Sequence, residues 1–173
     1  MFALARTFVD SPPASQSYSK NMGLYAERIG ALNLVLAESA STQPVLSQLK
    51  RIARAMYSNP PVHGARLVAE IVGDAALFEA WKGELAGMAG RIKAVRQQLF
   101  AALTKLNPDK DWSFVVKQIG MFSFTGLSPA QVENMIGKHK VFMTKDGRIS
   151  LAGLNSAKVD FVAAAIDDSY RNY

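Results

Sequence analysis

The feature that most constrains the fold is a long apolar repeat between Asp74 and Leu106. Its members recur at a mean spacing of about 3.6 residues, the period of an α-helix. Asp74 is a good N-cap and Asn107-Pro108 is a stop signal, so the pattern predicts one helix over 74–106. At 1.5 Å per residue this helix is about 48 Å long, which is typical of a helix that connects two domains. The repeat consists of Leu77, Trp81, Leu85, Met88, Ile92, Val95, Leu99, Leu103 and Leu106.

A stripe of glycines runs along the same predicted helix, at Gly83, Gly87 and Gly90. Each glycine costs about 1 kcal/mol relative to alanine in a helix interior. Two interpretations stay open: the stripe marks a bend, or another backbone approaches the helix closely at these positions.

The residues before this helix, 1–73, carry the signals of one strand and two helices. ALNLVLA at 31–37 is a short apolar run consistent with a buried strand. A helix is expected to begin at Ser41-Thr42, where a hydroxyl cap precedes a proline in the first turn. A shorter helix is expected over about 62–72.

The residues after Pro108 predict a small domain, 107–173. The stretch 113–126 is typical of one or two strands with a break at Gly120. Ser128 begins a capping box with proline at the first helical position, and that helix is expected to end near Gly137.

The end of the chain completes this small domain. VFMT and RISLAG are expected to form a hairpin through the Asp146-Gly147 turn. Asn155-Ser156 then opens a final amphipathic helix. Strands mixed with helices on both sides of the long helix predict the α/β fold class.

Composition argues against several kinds of site. The chain has no cysteine and only two histidines, His63 and His139, so no metal site is expected. The net charge is +6, but the basic residues are dispersed, so no nucleic-acid partner is expected. No apolar run reaches the ~18 residues of a membrane span, so no membrane partner is expected. FALARTFV at the start, interrupted by Arg6, is typical of a short amphipathic helix that ends at Pro12 rather than of a secretory leader.

Four ordered blocks of sequence carry a resemblance to a known family. The first is SYSKNMGLYAERIGA at 17–31, where Lys20 lies eight residues before Arg28. Taken alone, this block is a polar turn with a solvated lysine. It closely resembles the cofactor-lysine motif of the aspartate aminotransferases, fold type I enzymes that use pyridoxal 5'-phosphate. The resemblance covers nearly the whole chain and matches the C-terminal portion of such an enzyme. The other blocks are YSNPPVHGA at 57–65, GMFSFTGL at 120–127 and TKDGRIS at 144–150.

The resemblance implies three cofactor-binding residues. Lys20 would be the catalytic residue: its amine would bond to the cofactor aldehyde and, once freed, would carry a proton between the substrate and the cofactor. Ser17 and Arg28 would hold the cofactor phosphate, because a hydroxyl donor and a permanent cation suit that anion.

The resemblance also implies three substrate-binding residues. Arg148 would grip the substrate α-carboxylate with its planar guanidinium, which lysine cannot reproduce. Arg54 would bind the distal carboxylate from the second subunit of a homodimer, and Phe122 would form a wall beside Arg148. The implied reaction is transamination between L-aspartate and 2-oxoglutarate, a dicarboxylic amino acid and a 2-oxo acid. Each residue taken singly also has an ordinary explanation: a helix end for Arg54, an exposed turn for Arg148 and core packing for Phe122.

The resemblance further implies that residues 1–73 are an incomplete part of the large, cofactor-binding domain. Several site elements of the family would lie in sequence that precedes residue 1. They include the carboxylate for the cofactor ring nitrogen and most of the phosphate cradle. The 173 residues alone are therefore expected to show little turnover and to dimerise weakly or aggregate. A partial chain of the enzyme, a non-catalytic remnant that acts as an interaction module and an unrelated basic binding protein are the three hypotheses. A cytoplasmic location is favoured, and an organelle stays open because a leader would lie in the missing region.

Overall fold

The structure, a computed structural model, describes residues 13–173. It mixes helices and strands, which confirms the predicted α/β class. The helix expected for FALARTFV and its end at Pro12 lie outside the described residues. Among the helices that are described, none is both long enough and apolar enough to cross a membrane. In chain order the elements are β1 (Ala14–Ser17), β2 (Gly30–Asn33), α1 (Thr42–Tyr57), α2 (His63–Gly73), α3 (Ala75–Leu106), α4 (Phe114–Lys117), β3 (Phe122–Phe124), α5 (Pro129–Gly137), β4 (Arg148–Ser150) and α6 (Val159–Asn172).

The chain divides into two compact units, Met1–Lys82 and Gly83–Tyr173, called unit 1 and unit 2 below. Unit 1 is described from Pro13 onward. The division falls inside helix α3, whereas the sequence places domain boundaries at the two ends of that helix. The three predicted segments, 1–73, 74–106 and 107–173, therefore stay a prediction.

Helix α3 is uninterrupted over 32 residues. The carboxylate of Asp74 caps it, because Oδ1 accepts hydrogen bonds from the main-chain N–H groups of Ala76 (2.8 Å) and Leu77 (2.9 Å). These two bonds satisfy donors that the first helical turn leaves unpaired. The apolar repeat and its cap thus produce the helix that they predict.

The glycine stripe of α3 faces open space. A β-carbon at Gly83, Gly87 or Gly90 would meet no atom within 4 Å among the described residues. Close approach of another backbone to this stripe is therefore not found within residues 13–173. The helix continues through all three glycines without a break.

Unit 1 contains a small antiparallel ladder in which Ser17 lies opposite Gly30. The prediction of a buried strand at 31–37 is wrong: β2 ends at Asn33, and its residues are mostly exposed. Within the described residues no third strand pairs with β1 or β2, so nothing there buries the apolar run. Helix α1 begins directly after Ser41, close to its predicted start, although the Ser41 side chain makes no capping bond.

Unit 2 has a continuous apolar core. The C-terminal half of α3 contributes Leu99 and Leu103, and α5 and α6 contribute Val132 and Ile166, all almost fully buried. The capping box predicted at Ser128 is present and fixes the start of α5. Burial of these side chains is the main stabilising term for the unit. The other core residues are Val95, Trp112, Val115, Leu127, Met135, Leu151, Leu154, Val159, Ala163 and Ala165.

In unit 2 the strand prediction for 113–126 is confirmed only after Gly120, and the predicted hairpin is wrong. FVVK within 113–126 forms the short helix α4, and only Phe122–Phe124 is a strand. A short apolar run fits a buried helical turn as well as a strand, and Val115 is indeed buried in the core. The expected hairpin of VFMT with RISLAG does not form either, because β4 pairs with β3 instead. Val141 and Met143 of VFMT pack against the core.

Candidate active site

The first group of predicted site residues lies where the β1–β2 ladder opens into a turn. The N–H of Tyr18 donates to the carbonyl of Ile29 at 3.1 Å, which extends the pairing beyond Ser17. The ladder needs glycine at position 30, because a β-carbon there would lie 2.6 Å from the carbonyl oxygen of Gln16. This close pairing brings Ser17 and Arg28, eleven residues apart in the sequence, to the same end of the ladder.

Lys20 is exposed within this turn. Its ammonium nitrogen lies 4.0 Å from the centroid of the Tyr25 ring, a cation–π contact. No carboxylate of residues 13–173 forms an ion pair with it. Ser17 Oγ donates to Ser19 Oγ at 3.0 Å and accepts from the Ser19 N–H at 3.2 Å, so the hydroxyl is fixed at the start of the turn.

Arg28 ends the turn with a positive φ of 50°, which is uncommon for any residue other than glycine. Its Nη1 donates to the carbonyl of Tyr25 at 3.1 Å, and the side chain is otherwise exposed. Its neighbour Glu27 meets the start of α2: Oε2 lies 3.1 Å from His63 Nδ1. A β-carbon at buried Gly64 would lie 2.9 Å from the Glu27 β-carbon, so only glycine permits this contact. The second sequence block thus packs against the first.

The turn is also anchored to α3 within unit 1. Trp81 Nε1 donates to the carbonyl of Asn21 at 2.9 Å. The side-chain oxygen of Asn21 is buried and has no hydrogen-bond partner among the described residues.

Taken together, the turn presents a primary amine from Lys20, a hydroxyl from Ser17 and a guanidinium from Arg28. This donor set suits a ligand that carries an aldehyde and a phosphate.

Arg54 lies in the last turn of α1 and is exposed. It shares a shallow groove on one face of this helix with Lys50 and Arg51. A cation in the last turn of a helix interacts favourably with the helix dipole, so the placement of Arg54 alone does not require an anionic ligand.

Unit 2 brings Arg148 and Phe122 together on one face of the β3–β4 ladder. Phe122 lies opposite Ser150 and Phe124 lies opposite Arg148, so Phe122 and Arg148 are diagonal neighbours. The guanidinium carbon of Arg148 is 5.0 Å from the centroid of the Phe122 ring. Both residues are exposed on this face, whereas Ser123 of β3 faces the interior and is buried. The aromatic face thus supports a guanidinium whose donors remain available to a carboxylate.

The turn before β4 fixes the main chain at Arg148. Asp146 Oδ1 accepts from the N–H of Arg148 at 3.2 Å and also from the Thr144 hydroxyl. The Thr144 hydrogen bond, and secondly the Arg148 bond, lower the pKa of Asp146. Gly147 completes the turn with a φ of 85°.

Two residues behind β3 are not among the site residues that the sequence predicts. Arg96 of α3 is only 4% exposed, and burial lowers its pKa. Gln118 bonds to the main chain of Phe124 through both ends of its amide. A signal for Arg96 was present, because it stands at helical spacing between Ile92 and Leu99, on the face of α3 that carries the apolar repeat. An arginine in that position either leaves the core or finds buried acceptors.

The predicted site residues thus form separate groups. Ser17, Lys20 and Arg28 lie in one turn of unit 1, Arg54 lies on α1, and Arg148 and Phe122 lie in unit 2. Within residues 13–173, no three side chains of the metal-binding types cluster.

Comparison with known proteins shows which family of proteins this chain resembles. The family model described as aminotransferase class I and II matches residues 2–166. A chloroplastic aspartate aminotransferase of Arabidopsis thaliana is 64% identical over 159 residues, which make up 91% of this chain and 35% of that protein. Similar proteins carry names with chloroplastic, mitochondrial and cytoplasmic forms. The chain spans about a third of the length of these curated relatives.

Solved structures of aminotransferases are also similar to this chain. The aromatic amino acid aminotransferase of Psychrobacter sp. B6, cocrystallised with aspartic acid, matches with a TM-score of 0.88 and 41% identity; the match covers 92% of this chain and 40% of that one. The aromatic-amino-acid aminotransferase of Burkholderia pseudomallei, covalently bound to pyridoxal phosphate, matches with a TM-score of 0.85 and 40% identity over 91% of this chain and 39% of that one.

Proposed function

Because the chain belongs to the class I and II aminotransferases, we propose that it is part of an enzyme that transfers the amino group of L-aspartate to 2-oxoglutarate. The products are oxaloacetate and L-glutamate. The observation that carries this proposal is the exposed amine of Lys20 in a turn that also holds the Ser17 hydroxyl and the Arg28 guanidinium. The identity to aspartate aminotransferases supports the choice of substrate.

The donor set of this turn fits pyridoxal 5'-phosphate. Lys20 supplies the amine that the cofactor aldehyde requires, and Ser17 and Arg28 supply a hydroxyl and a permanent cation for the phosphate. When bound, the cofactor supplies a conjugated ring that withdraws electrons from the α-carbon of the substrate. The Tyr25 ring contacts the Lys20 ammonium and holds this side chain next to the turn.

Lys20 has the central chemical role in this proposal. Once the substrate amine has displaced it from the cofactor, Lys20 Nζ would hold the proton that leaves the substrate α-carbon and would move it to the cofactor. This transfer needs an amine that is close to the substrate α-carbon and to the cofactor and is not held in an ion pair. No carboxylate of residues 13–173 pairs with Lys20, in keeping with that requirement.

Two arginines select a substrate with two carboxylates. Arg148, supported on the face of Phe122, binds the α-carboxylate with two parallel N–H bonds. Arg54 binds the distal carboxylate in the site of a neighbouring copy, so the complete enzyme is a homodimer. Fixing a substrate at both ends orients the α-carbon, and good orientation contributes a large part of enzymatic rate enhancement.

The domain assignment accompanies this proposal. Residues 1–73 belong to the large cofactor-binding domain, 74–106 to the connecting helix and 107–173 to the small domain. Since the chain spans about a third of its curated relatives, the activity, substrates and dimeric state refer to the complete enzyme.

An absorbance titration of the chain with pyridoxal 5'-phosphate tests the proposal. We expect a new absorbance band at visible wavelengths, because the protonated C=N bond that joins Lys20 to the cofactor absorbs there. Lys20→Ala should abolish the band. Lys50→Ala, which removes another exposed lysine of unit 1, is the matched control and should retain it. A band that survives Lys20→Ala contradicts the assignment of Lys20, and a chain that gives no band supports the non-catalytic alternative.

A further inference from the structure

We propose that Arg96 is a positioning residue for the carboxylate-binding guanidinium of Arg148. Arg96 bonds to the main chain of Phe122, the first residue of strand β3, and the aromatic ring of Phe122 supports Arg148. The inference rests on the proposed function only for the ligand of Arg148. The positioning itself concerns contacts within unit 2.

The guanidinium of Arg96 bonds to three main-chain carbonyls. Nη1 donates to Val115 at 2.5 Å, and Nη2 donates to Gly120 at 3.0 Å and to Phe122 at 2.6 Å. No carboxylate of the described residues lies within ion-pair distance of Arg96. The two Nη atoms of this buried group therefore bond to the segment that leads into β3 and to the first residue of that strand, while Nε has no partner among the described residues.

Strand β3 depends on this support because the ladder with β4 is short. The two strands pair over three residues each, and a two-stranded sheet of that size is marginal alone. The carbonyl of Met121 accepts from the N–H of Leu151 across the ladder. The carbonyls of Phe122 and Phe124 face the opposite edge, where Arg96 and the Gln118 amide donate to them. Side chains thus take the place of a third strand.

Arg96 affects the position of Arg148 through its hydrogen bond to Phe122. Arg96 fixes the main chain of Phe122, and the ring of Phe122 extends from the exposed face of the ladder beneath the Arg148 guanidinium. A shift of the Phe122 backbone therefore moves the surface on which Arg148 rests. A merely structural role for Arg96 predicts a loss of stability without a change at Arg148.

The side-chain Nε–Hε signal of Arg148, observed by NMR in the ligand-free 173-residue chain and assigned with Arg148→Lys, tests the proposal. Stacking on an aromatic face shifts this signal upfield, and Phe122→Leu gives the unshifted reference. We expect Arg96→Lys to lose most of the upfield shift, because lysine keeps the charge but lacks the planar fork that reaches several carbonyls. If Arg96→Lys does not fold, Arg96→Met, which retains an unbranched stem and buries no amine, takes the same measurement.

Arg91→Lys is the matched control. Arg91 lies on the same helix and also donates to two main-chain carbonyls, those of Ala152 (2.8 Å) and Leu154 (3.2 Å). This variant should retain the Arg148 shift. An Arg96 variant that folds and keeps the full upfield shift overturns the proposal, whatever its stability.

Succinate binding provides the second measurement. We expect the dissociation constant of succinate to rise about tenfold in Arg96→Lys and to stay unchanged in Arg91→Lys, since a small misplacement of a binding group has a large effect on recognition. Failure of the unsubstituted chain to bind succinate counts against the proposed carboxylate-binding role of Arg148. The Arg148 signal then still decides whether Arg96 positions it, so the two failures are distinguishable.

Discussion

The two antiparallel ladders of this chain have similar size but different support. The β1–β2 ladder of unit 1 carries the predicted cofactor residues, and its strands are largely exposed. The β3–β4 ladder of unit 2 carries Arg148 and Phe122, and its inner face packs on a continuous core. One ladder is held by local bonds, whereas the other is held by buried side chains and by Arg96. We infer that unit 2 contains its own folding core, while the described part of unit 1 has little to stabilise it.

The largest expected difference concerns the loss of stability when a side chain is truncated. A cavity created in the core of unit 2 should cost far more than a truncation in the β1–β2 ladder. Leu103 is fully buried, so Leu103→Ala is expected to lower the free energy of unfolding by about 3 kcal/mol. Leu32 of β2 is 52% exposed, so Leu32→Ala is expected to cost less than about 0.5 kcal/mol. Urea denaturation followed by Trp112 fluorescence in a Trp81→Phe background measures unit 2, and circular dichroism follows the whole chain. Equal losses for the two variants would contradict the comparison.

Acid should weaken unit 2 through one carboxylate of α6. Asp168 accepts hydrogen bonds from His139, Lys138 and Asn134, which lower its pKa well below the ordinary value of 3.8, the His139 bond most of all. A lowered pKa in the folded state stabilises the fold above pH 3.8, and this contribution is lost as the pH falls further. We therefore expect unit 2 to become less stable as the pH decreases below about 4.

The substitution Asp168→Asn tests this carboxylate. The variant should be less stable than the parent chain at pH 7, and its stability should depend less on pH between neutral and pH 3. Denaturation curves followed by Trp112 at several pH values provide the measurement. An unchanged acid profile would assign the effect to other carboxylates.

The smallest expected contrast concerns two helix starts. Ser128 makes a full capping box at α5 in unit 2, so Ser128→Ala should cost about 1 kcal/mol. Ser41 precedes α1 in unit 1 without a side-chain capping bond, so Ser41→Ala should cost less than about 0.5 kcal/mol. Thermal unfolding monitored by circular dichroism resolves this difference. A larger loss for Ser41→Ala would show that α1 is capped in solution.

The sequence predicted best those elements whose signals are local. The 3.6-residue period with Asp74 predicted α3, and Ser128 with its proline predicted α5. Strand pairing was predicted poorly, because the partner of β4 lies across a helix in sequence and the Asp146-Gly147 turn pointed to the wrong neighbour. Pairing between distant segments depends on packing, which no short window of sequence contains.

The site residues show the same contrast between local and distant sequence signals. Lys20, Ser17 and Arg28 were found because they fall within one contiguous block, and their roles stay predictions. Phe122 and Arg148 come from two blocks, and the structure brings them together. Arg96 was missed because its importance depends on main-chain carbonyls that lie 19 to 26 residues further along the chain.

The backbone of Arg28 places two demands on one position. Its φ of 50° favours glycine, and a residue with a β-carbon there costs about 1 kcal/mol or more. Glycine would relieve that strain but would remove the guanidinium that the proposed phosphate site needs. Selection for stability and selection for anion binding therefore act in opposite directions at this residue, as in other stability–activity trade-offs.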